Sequence, residues 1–242
     1  MIALLVAPGI AAAQDQAVPR LGQGQEAALA RLREVLPADV AERVIAIVTE
    51  ATNHGLPGLS VAERALEGVA KGRSGEEVRA AAEAFARDLA ASRAAIQQAG
   101  RTPDPSEIEA GATAMGLGVD RKAISALASS APFGRSLAVP LAVIGALVNR
   151  GLPSDAALDA VLARLNDRAS NTELVEMPGE AGRLIAEGMR PSEVGLALAS
   201  QRAGRTVPAG PPANVPRNNG RPGERPQPPV QPPVPPAGPP LD

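Results

Sequence analysis

The chain of 242 residues contains no Cys, Trp or Tyr, only two Phe and a single His. Without Cys it can form no disulfide, thiolate nucleophile or Cys-ligated metal site. The shortage of aromatic residues argues against sites that stack sugars or single-stranded nucleic acid. The basic residues are almost all Arg, they are mixed with acidic ones, and the net charge is −2. We therefore predict no nucleic-acid partner, because such partners select a clustered basic face.

The remaining polar residues carry no recognisable catalytic or metal signature. His54 is predicted in the last turn of a helix, where a cation interacts favourably with the helix dipole. Lys71-Gly72-Arg73-Ser74 has the letters of a phosphate-binding loop in the wrong order. We assign no catalytic, cofactor-binding or metal-binding residue and no cofactor. Pairs of acidic residues share helix faces, and their expected role is a solvated surface or a helix N-terminus: Glu63 and Glu67, Glu76 and Glu77, Asp155 and Asp159, and Glu173 and Glu176.

The first 13 residues resemble the end of a secretory signal peptide. Residues 2–13 are apolar, end in Ala11-Ala12-Ala13 and are followed by polar residues. No basic residue precedes the run, so an apolar helix docked on the domain is the alternative. We predict a signal-like segment at 1–13, a linker at 14–24, and periplasmic or secreted localisation. The apolar run 137–148 is too short to span a membrane, which takes roughly 20 residues, and is predicted to be a fully buried helix.

Residues 25–204 have the apolar periodicity of amphipathic helices, interrupted by recurring stop and start signals. At one break, Gly151 is predicted to take the left-handed conformation and Leu152 to contact the preceding turn. Pro153 and Ser154 are then expected to end that helix and cap the next. The same pattern predicts further starts: Ser60 with Glu63, Ser74 with Glu77, Asp104 with Glu107, Asp120, and Pro191.

We therefore predict an all-α fold of about ten helices joined by short links, without strands. Pro178-Gly179 is expected to kink or split the ninth helix. The predicted spans are 25–36, 38–54, 60–71, 76–98, 105–116, 120–131, 136–150, 154–168, 172–187 and 191–203, with ends uncertain by about 2–4 residues.

Two segments of the helical region, 47–68 and 144–164, share the order helix, Gly-Leu-Pro, Ala-rich helix. We interpret them as degenerate repeats of a helical hairpin. The spacing is irregular, so the repeats form either a compact bundle or a short irregular solenoid. A hinge near Gly100–Pro105 would divide the domain into halves at 25–100 and 103–204.

The composition changes at residue 205. Prolines occupy 14 of the 38 positions in 205–242, and few bulky apolar residues remain to offset the entropy of ordering. We predict a disordered proline-rich tail. Its expected role is a solvated spacer, and a PxxP ligand for an aromatic-lined groove is the alternative.

Function follows from this sequence only by elimination. The favoured hypothesis is an exported, non-catalytic protein-interaction or scaffold module with a protein partner and a proline-rich tether. One alternative is a structural envelope protein whose tail is the working part. Another is a carboxylate-only enzyme or binding protein, which requires two carboxylates converging in a pocket with at least one of them desolvated.

Overall fold

The computed structural model describes residues 22–201, and these residues form ten α-helices and no strand. The all-α prediction is confirmed, and no helix end differs from its predicted position by more than three residues. The helices are α1 Gln23–Val35, α2 Ala38–Asn53, α3 Gly58–Ala70, α4 Gly75–Gln98, α5 Pro105–Gly116, α6 Arg121–Ser130, α7 Ala138–Asn149, α8 Ser154–Asn166, α9 Asn171–Ala186 and α10 Pro191–Ser200.

The predicted helix caps fall into two groups. Ser74, Asp104 and Asp120 each accept a hydrogen bond from the third residue of the following helix, as predicted. The caps predicted at Ser60 and Ser154 are wrong, because α3 and α8 begin earlier and proline occupies each N-cap position. Proline has no side-chain acceptor, so at these N-cap positions no side-chain cap hydrogen bond forms to the first turn.

The Gly-Leu-Pro breaks adopt the predicted geometry. Gly55 and Gly151 have φ of 69° and 95°, a region that favours glycine. Leu152 is 2% exposed, and its N–H donates to the Leu147 carbonyl at 3.2 Å, which closes the end of α7. The break after α8 has no glycine, and Arg168 takes φ of 62° there.

Of the kink or split predicted at Pro178-Gly179, the split does not occur in helix α9. The helix runs without interruption through this proline, which removes only one backbone hydrogen bond of the helix. Leu174, Met177 and Ala181 are fully buried on both sides of the proline, and α9 packs along α7. This burial stabilises a continuous helix against the local loss.

Helix contacts are local in chain order. Every helix pair with extensive contact is separated by one or two positions along the chain, for example α5 with α7, α7 with α9 and α8 with α10. The apolar core forms two clusters, and α4 and α5 contribute side chains to both. Helix α7 is largely buried but not fully buried as predicted, because Ala142 and Asn149 are exposed. The result is a compact helical domain in which α4 and α5 connect the two clusters.

Segments 1–13 and 205–242 lie outside the described residues, as does all of 14–21 from the predicted linker. Gln23 and Gly24, the last two linker residues, belong to α1.

Candidate functional site

Half of the paired acidic residues named in the sequence analysis lie at helix starts. Glu76, Glu77, Asp155 and Glu173 lie in first turns, as expected. Glu63 does not, because α3 begins at Gly58. The Ser74 hydroxyl donates to the Glu77 carboxylate and, with the Ser74 backbone N–H, holds the pKa of Glu77 below its usual value.

The loop between α6 and α7, residues 131–137 and here called the α6–α7 loop, is held by side chains distant in sequence. Arg101 donates to the carbonyls of Ala131 at 3.4 Å and of Arg135. The Glu107 side chain is 6% exposed, and its Oε1 accepts from the backbone N–H of Leu137 at 2.7 Å. A buried carboxylate that accepts from backbone N–H groups is a strong structural contact, so the two side chains fix the loop to the start of α5.

Arg135 connects the same loop to the link between α8 and α9. Its Nη1 donates to the Ala169 carbonyl at 2.7 Å, and its Nη2 donates to Asn171 Oδ1 at 2.9 Å. Arg101, Glu107 and Arg135 therefore tie three helix connections together at one place. A loop held by several long-range contacts loses little conformational entropy when it binds a partner.

Phe133 lies in this fixed loop and is 98% exposed. Its neighbours Pro132 and Gly134 are exposed as well. A cleft of about 420 Å³ lies beside the ring and is lined by Arg101, Asp104 and Glu107 among others. Aromatic side chains are enriched among the anchors of protein interfaces, so an exposed ring beside a cleft is a candidate anchor.

The two carboxylates of this cleft, those of Asp104 and Glu107, both accept hydrogen bonds from the protein. Asp104 Oδ1 accepts from the Glu107 N–H at 2.9 Å and from the Ser106 hydroxyl at 2.6 Å. The Ser106 hydroxyl, and then the Glu107 N–H, lower the pKa of Asp104. Glu107 Oε2 accepts from the Asp104 N–H at 3.1 Å, which completes a reciprocal capping box. These contacts orient both carboxylates towards the backbone.

A second cleft, of about 240 Å³, lies between α3 and α4 and has two carboxylates with opposite pKa shifts. Partial burial raises the pKa of Asp88. Lys71, through a hydrogen bond of 2.5 Å, lowers the pKa of Glu67. The Arg64 guanidinium stacks over the Phe85 ring with 4.9 Å between its Cζ and the ring centroid. Two carboxylates whose pKa values are shifted in opposite directions are one arrangement that acid–base chemistry uses.

His54 lies at the C-cap of α2, close to its expected position. Its backbone carbonyl accepts a hydrogen bond from Arg93. The residue also borders a cleft of about 340 Å³ together with Glu50, Glu83 and Arg87.

Sequence reasoning missed the α6–α7 loop as a site. Arg101 and Glu107 lie at least 30 residues before the loop residues that they bond, and the three residues match no motif, so only the fold brings them to the same place as Arg135. One signal was available: Pro132-Phe133-Gly134 places one of the two Phe residues between turn-forming residues. An aromatic residue in a turn sequence is a candidate for exposure.

Comparison with known proteins found no match to any protein family, curated protein or solved structure. Within residues 22–201, no cluster of three or more His, Cys, Asp or Glu side chains is arranged to hold a metal ion. No helix in that range is both long and apolar enough to cross a membrane.

Proposed function

We propose that residues 22–201 form a protein-interaction module whose contact surface is the α6–α7 loop with the adjacent cleft. The observation that carries the proposal is Phe133, which is almost fully exposed on a loop fixed by Arg101, Glu107 and Arg135. Rigid, exposed aromatic side chains are the usual anchors of protein interfaces, because they bury a large apolar area at a small entropic cost.

In this proposal the domain is a short irregular solenoid of degenerate helical hairpins. The local contact pattern supports it, since extensive contacts join only helices one or two positions apart in the chain. Such a pattern is typical of repeat proteins, which bind partners along extended surfaces. The two Gly-Leu-Pro breaks, with buried Leu56 and Leu152 and proline at both N-caps, support a common hairpin unit.

We further propose that the protein is exported to the periplasm or secreted, with 1–13 as the signal-like segment and 205–242 as a proline-rich tether. The support is sequence composition alone. N-terminal sequencing of the mature protein tests export directly. Cleavage after the Ala11–Ala13 run supports it, whereas a mature chain that retains Ile2 contradicts it.

The interaction surface is tested by photo-crosslinking in the native cells. A photoreactive benzoylphenylalanine is placed at position 133, and the matched control carries it at Leu196, which is 75% exposed on α10. We expect a discrete crosslinked protein product from position 133 and much less from position 196. Equal or absent crosslinking at the two positions would contradict the proposed surface.

The cleft between α3 and α4 supports a second candidate function, a carboxylate-dependent hydrolase. It rests on the opposite pKa shifts of Asp88 and Glu67 in one cleft, in which Asp88 would act as the acid and Glu67 as the base. The test is hydrolysis of a panel of nitrophenyl glycosides and esters. Asp88→Asn should abolish any activity found, while Glu63→Gln should retain it. An unchanged rate in Asp88→Asn rejects this candidate.

A further inference from the structure

We infer that the α6–α7 loop and its cleft bind a second copy of this chain, so that Phe133 of each protomer occupies the cleft of the other. This inference rests on the proposed interaction surface and names its partner.

The first support is that a projection and a recess lie side by side on one surface. Phe133 is exposed and borders the cleft of about 420 Å³. A two-fold symmetric interface requires one patch to contain both a group and its complement, because residue i of one copy meets residue j of the other and the reverse. A recess next to a projecting ring satisfies this requirement, and its volume exceeds that of a phenyl ring.

The second support is the charge of the cleft. Arg101 and Arg135 contribute positive charge, and Asp104 and Glu107 contribute negative charge, of which Asp104 is exposed and Glu107 is buried. A two-fold rotation about an axis through the cleft therefore places cations of one copy near an anion of the other. The Nη1 and Nη2 atoms of both arginines donate to backbone carbonyls or to Asn171, while Arg135 Nε is buried without a hydrogen-bond partner among the described residues. These in-plane bonds leave the flat guanidinium faces for contact with an aromatic ring.

The area sets the expected strength of the dimer. A buried Phe side chain covers about 150–250 Å², so two rings together with the cleft surfaces that they cover contribute about 800 Å². Stable interfaces bury roughly 1,200 Å² or more in total. The contact is therefore weak, with an expected Kd of about 10 µM to 1 mM, and the protomers exchange readily.

The test is sedimentation equilibrium of the purified full chain over about 10 µM to 1 mM. We expect a monomer–dimer equilibrium for the wild type, a Kd at least about tenfold higher for Phe133→Ala, and an unchanged Kd for Leu196→Ala. Both variants remove an exposed side chain, so folding should persist and is checked by circular dichroism.

Crosslinking of the same purified chain with benzoylphenylalanine at position 133 locates the contact. The expected product is a dimer joined to residues 100–107 or 132–136 of the second copy. A chain that stays monomeric up to about 1 mM, or a dimer unaffected by Phe133→Ala, overturns the inference. A monomeric chain that still crosslinks in cells to a different protein from position 133 overturns this inference and leaves the proposed interaction surface intact.

Discussion

The contact between α4 and α5 yields a prediction with a defined magnitude. Gly111 of α5 faces Ser92 of α4, and a Cβ atom built on Gly111 would lie 2.1 Å from Ser92 Oγ and 3.1 Å from Ser92 Cβ. Forcing extra volume into a packed core costs about 1–3 kcal/mol, and so short a distance belongs in the upper part of that range. Replacing a helical Gly by Ala stabilises the helix by about 1 kcal/mol. Gly111→Ala should therefore lower the free energy of unfolding by about 1–2 kcal/mol.

Ser92 allows the origin of this loss to be tested. Its hydroxyl is fully buried and has no hydrogen-bond partner among the described residues. Ser92→Ala removes an unsatisfied polar atom and a poorer helix former, so we expect stabilisation of up to about 1 kcal/mol. In the Ser92→Ala background, Gly111→Ala loses the contact at 2.1 Å and retains only the milder one at 3.1 Å. The free energy of unfolding of the double variant should thus be higher, by about 1 kcal/mol or more, than the sum of the two single effects predicts.

Urea unfolding followed by circular dichroism at constant m value measures the four proteins of this cycle. Gly116→Ala is the matched control on the same helix, because a Cβ at Gly116 meets no atom within 4 Å, and it should be neutral or stabilising. If Gly111→Ala were as stable as Gly116→Ala, that result would contradict the close packing of α4 against α5 at Gly111. If Ser92→Ala destabilised the domain by more than about 1 kcal/mol, its hydroxyl would have a partner.

Four further predictions concern single residues. Arg168→Gly relieves a left-handed non-glycine conformation and should stabilise the domain by about 1 kcal/mol in urea unfolding; a loss would mean that the arginine side chain contributes a contact. Glu107→Ala leaves two backbone N–H groups without their acceptor and should lower the free energy of unfolding by about 2–3 kcal/mol. Amide hydrogen exchange in the α6–α7 loop should become faster. Unchanged exchange there would contradict the role of Glu107 in fixing the loop. The pKa of Asp104 is lowered. Its carboxylate therefore stabilises the fold fully above pH 3.8, the ordinary pKa of the group, and this stabilisation is lost as the pH falls through the folded-state pKa. The pKa of Asp88 is raised by burial, so Asp88→Asn should gain stability over the wild type as the pH rises above 3.8; a pH-independent difference would refute the assignment.

Helix positions were predictable because their signals are local. Glycine at a helix end, an acidic or hydroxyl cap and apolar periodicity act within a few residues, and the helix boundaries of the domain follow them closely. The errors at Ser60 and Ser154 arose where two local signals competed. Proline already supplied the start of each helix, and the following serine entered the first turn.

The site was not predictable in the same way. Arg101 and Glu107 flank the start of α5, while the loop that they hold lies about 30 residues further along the chain. No local pattern marks such pairs, because each side chain is an ordinary charged residue until the fold supplies its acceptor or donor. Tertiary contacts also explain why α9 continues through Pro178, because its packing on α7 stabilises the continuous helix.

The sequence by itself determined the helical content, the places where helices end, and the exclusion of thiol and disulfide chemistry. All of these depend on residue type and near neighbours. Only the tertiary structure decided how exposed the two phenylalanines are. Phe85 is 6% exposed beneath Arg64, whereas Phe133 is 98% exposed. Their side chains are identical, and the difference arises because burial depends on which distant helices cover a position. The proposed function rests on that difference.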